Sequence, residues 1–258
     1  MTVAPARGRK SPELPEDELN YPSGDGKPMA ENDICRDQAI YCTDTLGQRY
    51  AHDPLVYVAA NNFIYYNQGN PKQCISPDVY VVFGAEKRPR RSYMAWRENG
   101  ILPSVVIEIT SHTTWVEDSL KQPRYEKMGV KEYFEYDPFE DYLYPPLQGY
   151  RLVEGQYQRI APETAPVLHH FPDEMRTFDD RPAPLCLRSE VLGVYLVQEG
   201  GRMRFYDVAT GDPLLSSQER TQAEAQRARA EMEARIQAEA EVARLRSELE
   251  ELRRRQAE

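Results

Sequence analysis

The sequence predicts an α/β (α+β) domain built on a mixed sheet flanked by helices, followed by one long helix. Three observations carry that prediction. Short apolar runs rich in β-branched residues, VYVVFG at 79–84 and SVVIEIT at 104–110, have the composition of central strands. A helical stretch, EDSLKQPRYEKMG, separates the second run from the strand-like KEYFEYD, so helix and strand alternate. After Gly211 the composition shifts abruptly, and residues 216–258 are dominated by Ala, Glu, Arg and Gln, without Gly or Pro.

The remaining elements follow in chain order. Residues 1–29 are rich in Pro, Gly and charge and read as a flexible N-terminal arm. From Met29 the pattern turns helical, with Ile34, Ala39, Ile40, Cys42 and Leu46 near one face and Gly47 as a stop. LVYVAANNFIYYNQGNPK then suggests a hairpin around Asn61-Asn62. Pro123 conflicts with the helix that contains it, because an interior proline costs about 3 kcal/mol; a late start or a kink is expected. GYRLVEGQYQRI reads as a hairpin around Glu154-Gly155, and VLGVYLVQEGGRMRFYD as another around Gly200-Gly201. In the tail, Ala238, Val242, Leu245, Leu249 and Leu252 alternate spacings of 4 and 3, the seam of a short coiled coil, with a solvated single helix as the rival reading. The expected domains are therefore an arm at 1–29, a folded domain at 30–215 and a helical tail at 216–258.

Composition narrows the function classes. A hydrophobic fraction of 40% over 258 residues supports a real core, and no apolar run reaches membrane-spanning length. The first residues, MTVAPARGRKSPELPEDELN, lack the apolar stretch of a secretory signal. Four scattered cysteines without a CxxC pair argue against a zinc knuckle or disulfide framework, so a reducing cytoplasm is expected. A net charge of -10 speaks against a protein that coats nucleic acid non-specifically. Residues 34–160, however, carry 14 basic and 16 acidic side chains, close enough to balance for a local positive patch.

Two carboxylates stand where chemistry is conceivable. Asp78 follows Pro77 and opens one apolar strand, and Glu108 interrupts the other. Burying a carboxylate in such a run is costly unless a cation compensates it. A pair on neighbouring strands suits a hard divalent metal and the hydrolysis it promotes. Singly, each has a plain structural reading: a turn-capping aspartate and a solvent-facing strand glutamate. Lys87, Arg88, Arg90 and Arg91 place four positive charges within five residues, a candidate phosphate-positioning run or a solvated loop.

The ordered motifs SPDVYVVFGAEKRPRRSY, PSVVIEITSHTTWVED and YEKMGVKEYFEYDP closely resemble the Uma-two-type restriction endonucleases of the PD-(D/E)xK nuclease superfamily, from about Tyr21 through Asp212. The resemblance implies a restriction-endonuclease-like fold and a magnesium- or manganese-dependent endonuclease acting on DNA. Pro77-Asp78 matches the PD element and Glu108-Ile109-Thr110 the ExK element. Asp78 and Glu108 would then be metal ligands, with the Ile109 carbonyl a third and Glu31 an additional acid. Thr110 stands where a lysine is usual, and Lys121 on the following helix is its best match. The tail would bring two protomers together, so a homodimer paired through residues 216–258 is expected, which suits an enzyme that must cut two strands. The rival reading is an inactive nuclease-fold module that binds nucleic acid or protein.

Overall fold

The computed structural model describes residues 21–24, 32–111, 115–163 and 186–255. Glu31, His112 and His169-His170 lie outside them. The chain divides into two compact units, 1–214 and 215–258.

The first unit opens with helix α1 (Asp33–Arg49), capped by Asn32, whose side chain accepts from the Cys35 N–H at 2.8 Å. Its buried stripe is Cys35, Gln38, Ala39, Cys42, Thr45 and Leu46. This corrects the sequence expectation at two positions, since Ile34 is 49% exposed and Ile40 59%. The polar Gln38 replaces them inside because its amide exchanges two hydrogen bonds with the Met203 backbone, at 2.8 and 3.2 Å.

Strands β1 (Val56–Ala60), β2 (Ile64–Tyr65) and β3 (Cys74–Ile75) follow. The hairpin expected around Asn61-Asn62 does not form: β1 belongs to the central sheet, and β2 pairs with β3 in a small separate one. Asn61 adopts φ 55° and donates its N–H to the Pro77 carbonyl, which turns the chain out of the first sheet. Next come β4 (Val79–Phe83), β5 (Tyr93–Met94), a 3-10 turn (Ala95–Glu98) and β6 (Val105–Ile109). Helix α2 (Trp115–Met128) then crosses to β7 (Glu132–Tyr136). β8 (Leu147–Val153) and β9 (Gln156–Arg159) form the expected hairpin, with Glu154 and Gly155 both at positive φ. β10 (Cys186–Ser189), β11 (Val194–Glu199) and β12 (Arg202–Asp207) form a three-stranded meander whose second turn holds Gly200 and Gly201 at positive φ.

The central sheet has the order β1-β4-β6-β7-β8-β9, with β6 and β7 parallel and the other pairs antiparallel. Alternation along the strands separates two cores. Val81, Val105, Ile107, Ile109 and Phe134 pack with α1 and the β10–β12 meander. Tyr80, Val82, Val106 and Tyr133 lie on the other face with Tyr125 of α2 and with Ile64, Ile75 and Tyr93 of the small sheet. This second layer is built largely of tyrosine, and it is the face that carries the site.

The mixed sheet flanked by helices, and the long helix after it, are as the sequence predicts. α2 starts at Trp115 and continues through Pro123, so the late start expected from the sequence does not occur. Pro123 is exposed, while Tyr125 and Lys121 hold the opposite side of the helix to the sheet. Residues 21–24, expected to belong to the flexible arm, are tied down: the Tyr21 ring packs on Tyr65 and Trp96, and its hydroxyl accepts the Gly69 N–H at 2.6 Å.

The second unit is one helix, α3 (Ser217–Arg255), opened by a capping box. The Glu219 carboxylate accepts the Ser216 N–H at 2.8 Å, and the Ser216 hydroxyl accepts the Glu219 N–H at 3.3 Å. Arg235–Glu239 at 2.9 Å and Arg244–Glu241 at 2.7 Å brace its exposed flank.

Candidate active site

Two adjacent strands bring the predicted carboxylates together. The β4–β6 register pairs Val79 with Ile107, so the next residues outward, Asp78 and Glu108, stand opposite each other at the end of the ladder. Both belong to the tyrosine-lined face, because they continue the rows of Tyr80 and Val106. Each carboxylate is locked by the other strand's backbone. The Ile109 N–H donates to Asp78 Oδ2 at 2.7 Å, and the Asp78 N–H donates to Glu108 Oε2 at 3.2 Å.

Glu108 is wholly buried, which corrects the plain reading of it as a solvent-facing strand residue. Its charge is compensated from α2. Lys121 Nζ, with a side chain 20% exposed, donates to Oε2 at 3.0 Å, and the Tyr125 hydroxyl donates to Oε1 at 2.5 Å. Lys121 and Tyr125 are four residues apart on one helix, hence on the same face. Thr110 occupies the place two residues after Glu108, buried and accepting the Tyr142 hydroxyl. The amine that meets Glu108 comes from the helix.

Around this core the electrostatics are those of a dry layer. Tyr133 is raised well above the ordinary tyrosine value, first by burial and then by the nearby carboxylates of Glu135 and Glu108. Burial likewise pushes the Cys42 and Cys186 thiols up to about 12, which makes both poor nucleophiles. Arg124 of α2 donates to the Cys74 carbonyl and to the Tyr66 hydroxyl, tying the helix to the strand that leads into Asp78.

The donor set fits a hard divalent cation. Two carboxylates face one lysine, leaving net negative charge at an oxygen-rich end of the sheet. A strand residue's N–H and C=O point to the same flank, so the Ile109 carbonyl faces the side on which its N–H meets Asp78. Among the described residues no three His, Cys, Asp or Glu side chains converge as a metal cage. Magnesium suits such a sparse site, since it is held by one or two carboxylates and keeps several waters.

The basic run lies elsewhere. It follows the far end of β4, separated from Asp78 by a five-residue strand, about 17 Å at the usual rise. Lys87 donates to the carbonyls of Tyr50 and Ala51 at the end of α1. Arg90 is 3% exposed at its side chain, paired with Glu98 at 2.9 Å and stacked on the Tyr57 ring at 4.2 Å. Arg88 shares the same Glu98 at 2.6 Å, and Arg91 is exposed. Lys87 and Arg90 thus serve the fold: Lys87 meets carbonyls at the end of α1, and Arg90 is the partner of the buried Glu98 in the 3-10 turn.

The structure brings Asp78, Glu108, Ile109 and Lys121 together. Glu31 falls outside the described residues. Sequence reading missed Tyr125, although its i+4 spacing from Lys121 marked it, and Glu98, whose burial no local pattern announced.

A family model described as "Uma2: Putative restriction endonuclease" matches residues 18–177, more than half of the chain. The chain belongs to this family. The matched span contains Asp78, Glu108, Lys121 and Tyr125. Comparison with curated proteins gives no match. Among solved structures, a crystal structure described as "a putative nuclease belonging to DUF820", from Anabaena variabilis ATCC 29413, is 16% identical; the likeness covers 62% of this chain and 89% of that chain at a TM-score of 0.37.

Proposed function

We propose that this member of the restriction endonuclease family is a divalent-metal-dependent endonuclease that hydrolyses DNA phosphodiester bonds at the end of β4 and β6. The single observation that carries the reading is the buried Glu108 carboxylate, shared by Lys121 and the Asp78 backbone at the edge of the sheet. Asp78 and Glu108 would hold magnesium or manganese, with the Ile109 carbonyl beside them. Such an ion, when bound, supplies Lewis acidity and a more acidic water.

The chain's own groups do the rest. Lys121 neutralises Glu108 in the metal-free state, and its flexible stem lets the ammonium move to a phosphate oxygen or orient the attacking water. There it offsets charge that develops on the phosphorane-like transition state. The tyrosine layer packs behind Glu108 on one side, and on the other stands Asp78, which is partly exposed. Of the basic run, Arg88 and Arg91 are the members left to contact the phosphate backbone beyond the site.

Plasmid cleavage in Mg²⁺ and Mn²⁺ tests this. Asp78→Asn, Glu108→Gln and Lys121→Ala should each lower the rate on the order of a hundredfold or more. Cleavage that survives Glu108→Gln would remove the site from the reaction. Absence of cleavage together with absence of carboxylate-dependent metal binding would leave an inactive module of the same fold.

A further inference from the structure

We propose that Tyr125 is a positioning residue that holds the Glu108 carboxylate so that it meets the metal through one oxygen, at a site that takes one divalent cation per chain. The inference rests on the metal-binding reading above and specifies how that site is filled.

The observations concern Glu108's two oxygens separately. Oε1 accepts the Tyr125 hydroxyl at 2.5 Å, and both residues are wholly buried. That side of the carboxylate faces the tyrosine layer, to which Tyr125 belongs. Oε2 accepts from the Asp78 N–H and from Lys121, so it faces the end of the sheet where the second carboxylate stands. A short hydrogen bond from a buried phenol holds the carboxylate's plane as a hinge pin would. Only Oε2 is directed to the cation, and Glu108 ligates through that one atom.

Capacity follows from the same count. Two cations at the 3.5–4 Å spacing of two-metal sites need a carboxylate that bridges both, with further ligands for each. No third acidic side chain converges here among the described residues. One octahedral ion completed by water is what these donors support.

The test is a calorimetric titration of Mn²⁺ into the full chain, with electron paramagnetic resonance of the bound ion. The wild type should take one Mn²⁺ per chain without Mn–Mn coupling. Tyr125→Phe, which removes only the hydroxyl, should raise the Mn²⁺ Kd about tenfold or more while circular dichroism shows an intact fold. Two carboxylate-dependent ions per chain, or an unchanged Kd in Tyr125→Phe, would overturn the proposal. Should that variant fold poorly, infrared difference spectra of the wild type decide: a wide carboxylate stretch splitting on Mg²⁺ binding supports one-oxygen ligation, and a narrow one refutes it. Wild-type binding that Asp78→Asn leaves untouched would instead refute the underlying metal site, a separate outcome.

Discussion

At the scale of single residues, buried carboxylates organise this protein, and each is matched by a different kind of partner. Asp137 is wholly buried and accepts the N–H groups of Phe139, Asp141, Tyr142 and Leu143, so it shapes the loop after β7. Glu132 accepts from Arg151 at 3.1 Å, from the Ser189 hydroxyl and from the Glu190 N–H, which fastens the β10–β11 turn to the central sheet. Glu98 has guanidinium partners instead. Burial opposes its ionisation, but the hydrogen bonds and charges of Arg90 and Arg88 outweigh that and hold it below its ordinary value of 4.5. A carboxyl lowered in this way adds stability above the unfolded-state pKa and loses it as pH falls through the folded-state value. Glu98→Gln should therefore destabilise the chain by roughly 3 kcal/mol at pH 7, the low end for a broken buried pair because Arg88 is half exposed. The deficit should shrink as pH falls below about 4.5, measured as the gap between the two variants' thermal midpoints. A gap that stays constant from pH 7 to acid would show that Glu98 is not ionised in the fold.

At the scale of elements, close packing between strands fixes the sheet that presents the site. Phe134 of β7 lies in register with Gly149 of β8. A Cβ built on Gly149 would sit 2.8 Å from two Phe134 ring atoms and 3.1 Å from Leu187. Phe134 is wholly buried and has no room to retreat. Gly149→Ala should cost about 1–3 kcal/mol as overpacking, visible as a lower midpoint in urea with an unchanged slope. An unchanged midpoint would mean that the two strands are spaced more widely. This glycine was invisible as a packing device in GYRLVEGQYQRI, where only the Glu154-Gly155 turn was legible. α1 shows the same limit. Its helical period was readable, but the choice of Gln38 over Ile34 and Ile40 for the interior depended on a backbone partner 165 residues away.

At the scale of the whole molecule, the nuclease-like unit and the tail are separate problems. No helix among the described residues is long and apolar enough to cross a membrane. α3 exposes Val242, Leu245 and Leu249 at alternating spacings of 3 and 4, and an exposed seam of this kind is buried when a second helix pairs with it. We infer that the tail pairs two copies, which places two sites on one assembly and suits cleavage of two strands. The full chain should therefore elute as a dimer in light-scattering chromatography, and residues 1–214 as a monomer. A monomeric full chain at micromolar concentration and above would refute pairing through the tail.

The sequence by itself determined the fold class, the order of most elements, the two hairpins with their positive-φ turns, the family, and the pair Asp78 and Glu108. These depend on local period, turn chemistry and motif order, all of which are written along the chain. The sequence also named Lys121 as the amine of the site; tertiary structure alone decided that Glu108 is buried, that Lys121 donates to its Oε2, that Tyr125 closes its other oxygen, and that Arg90 belongs to Glu98. Each of these depends on a contact between different elements of the fold, where the energy of satisfying a buried charge overrides what the neighbouring residues would choose.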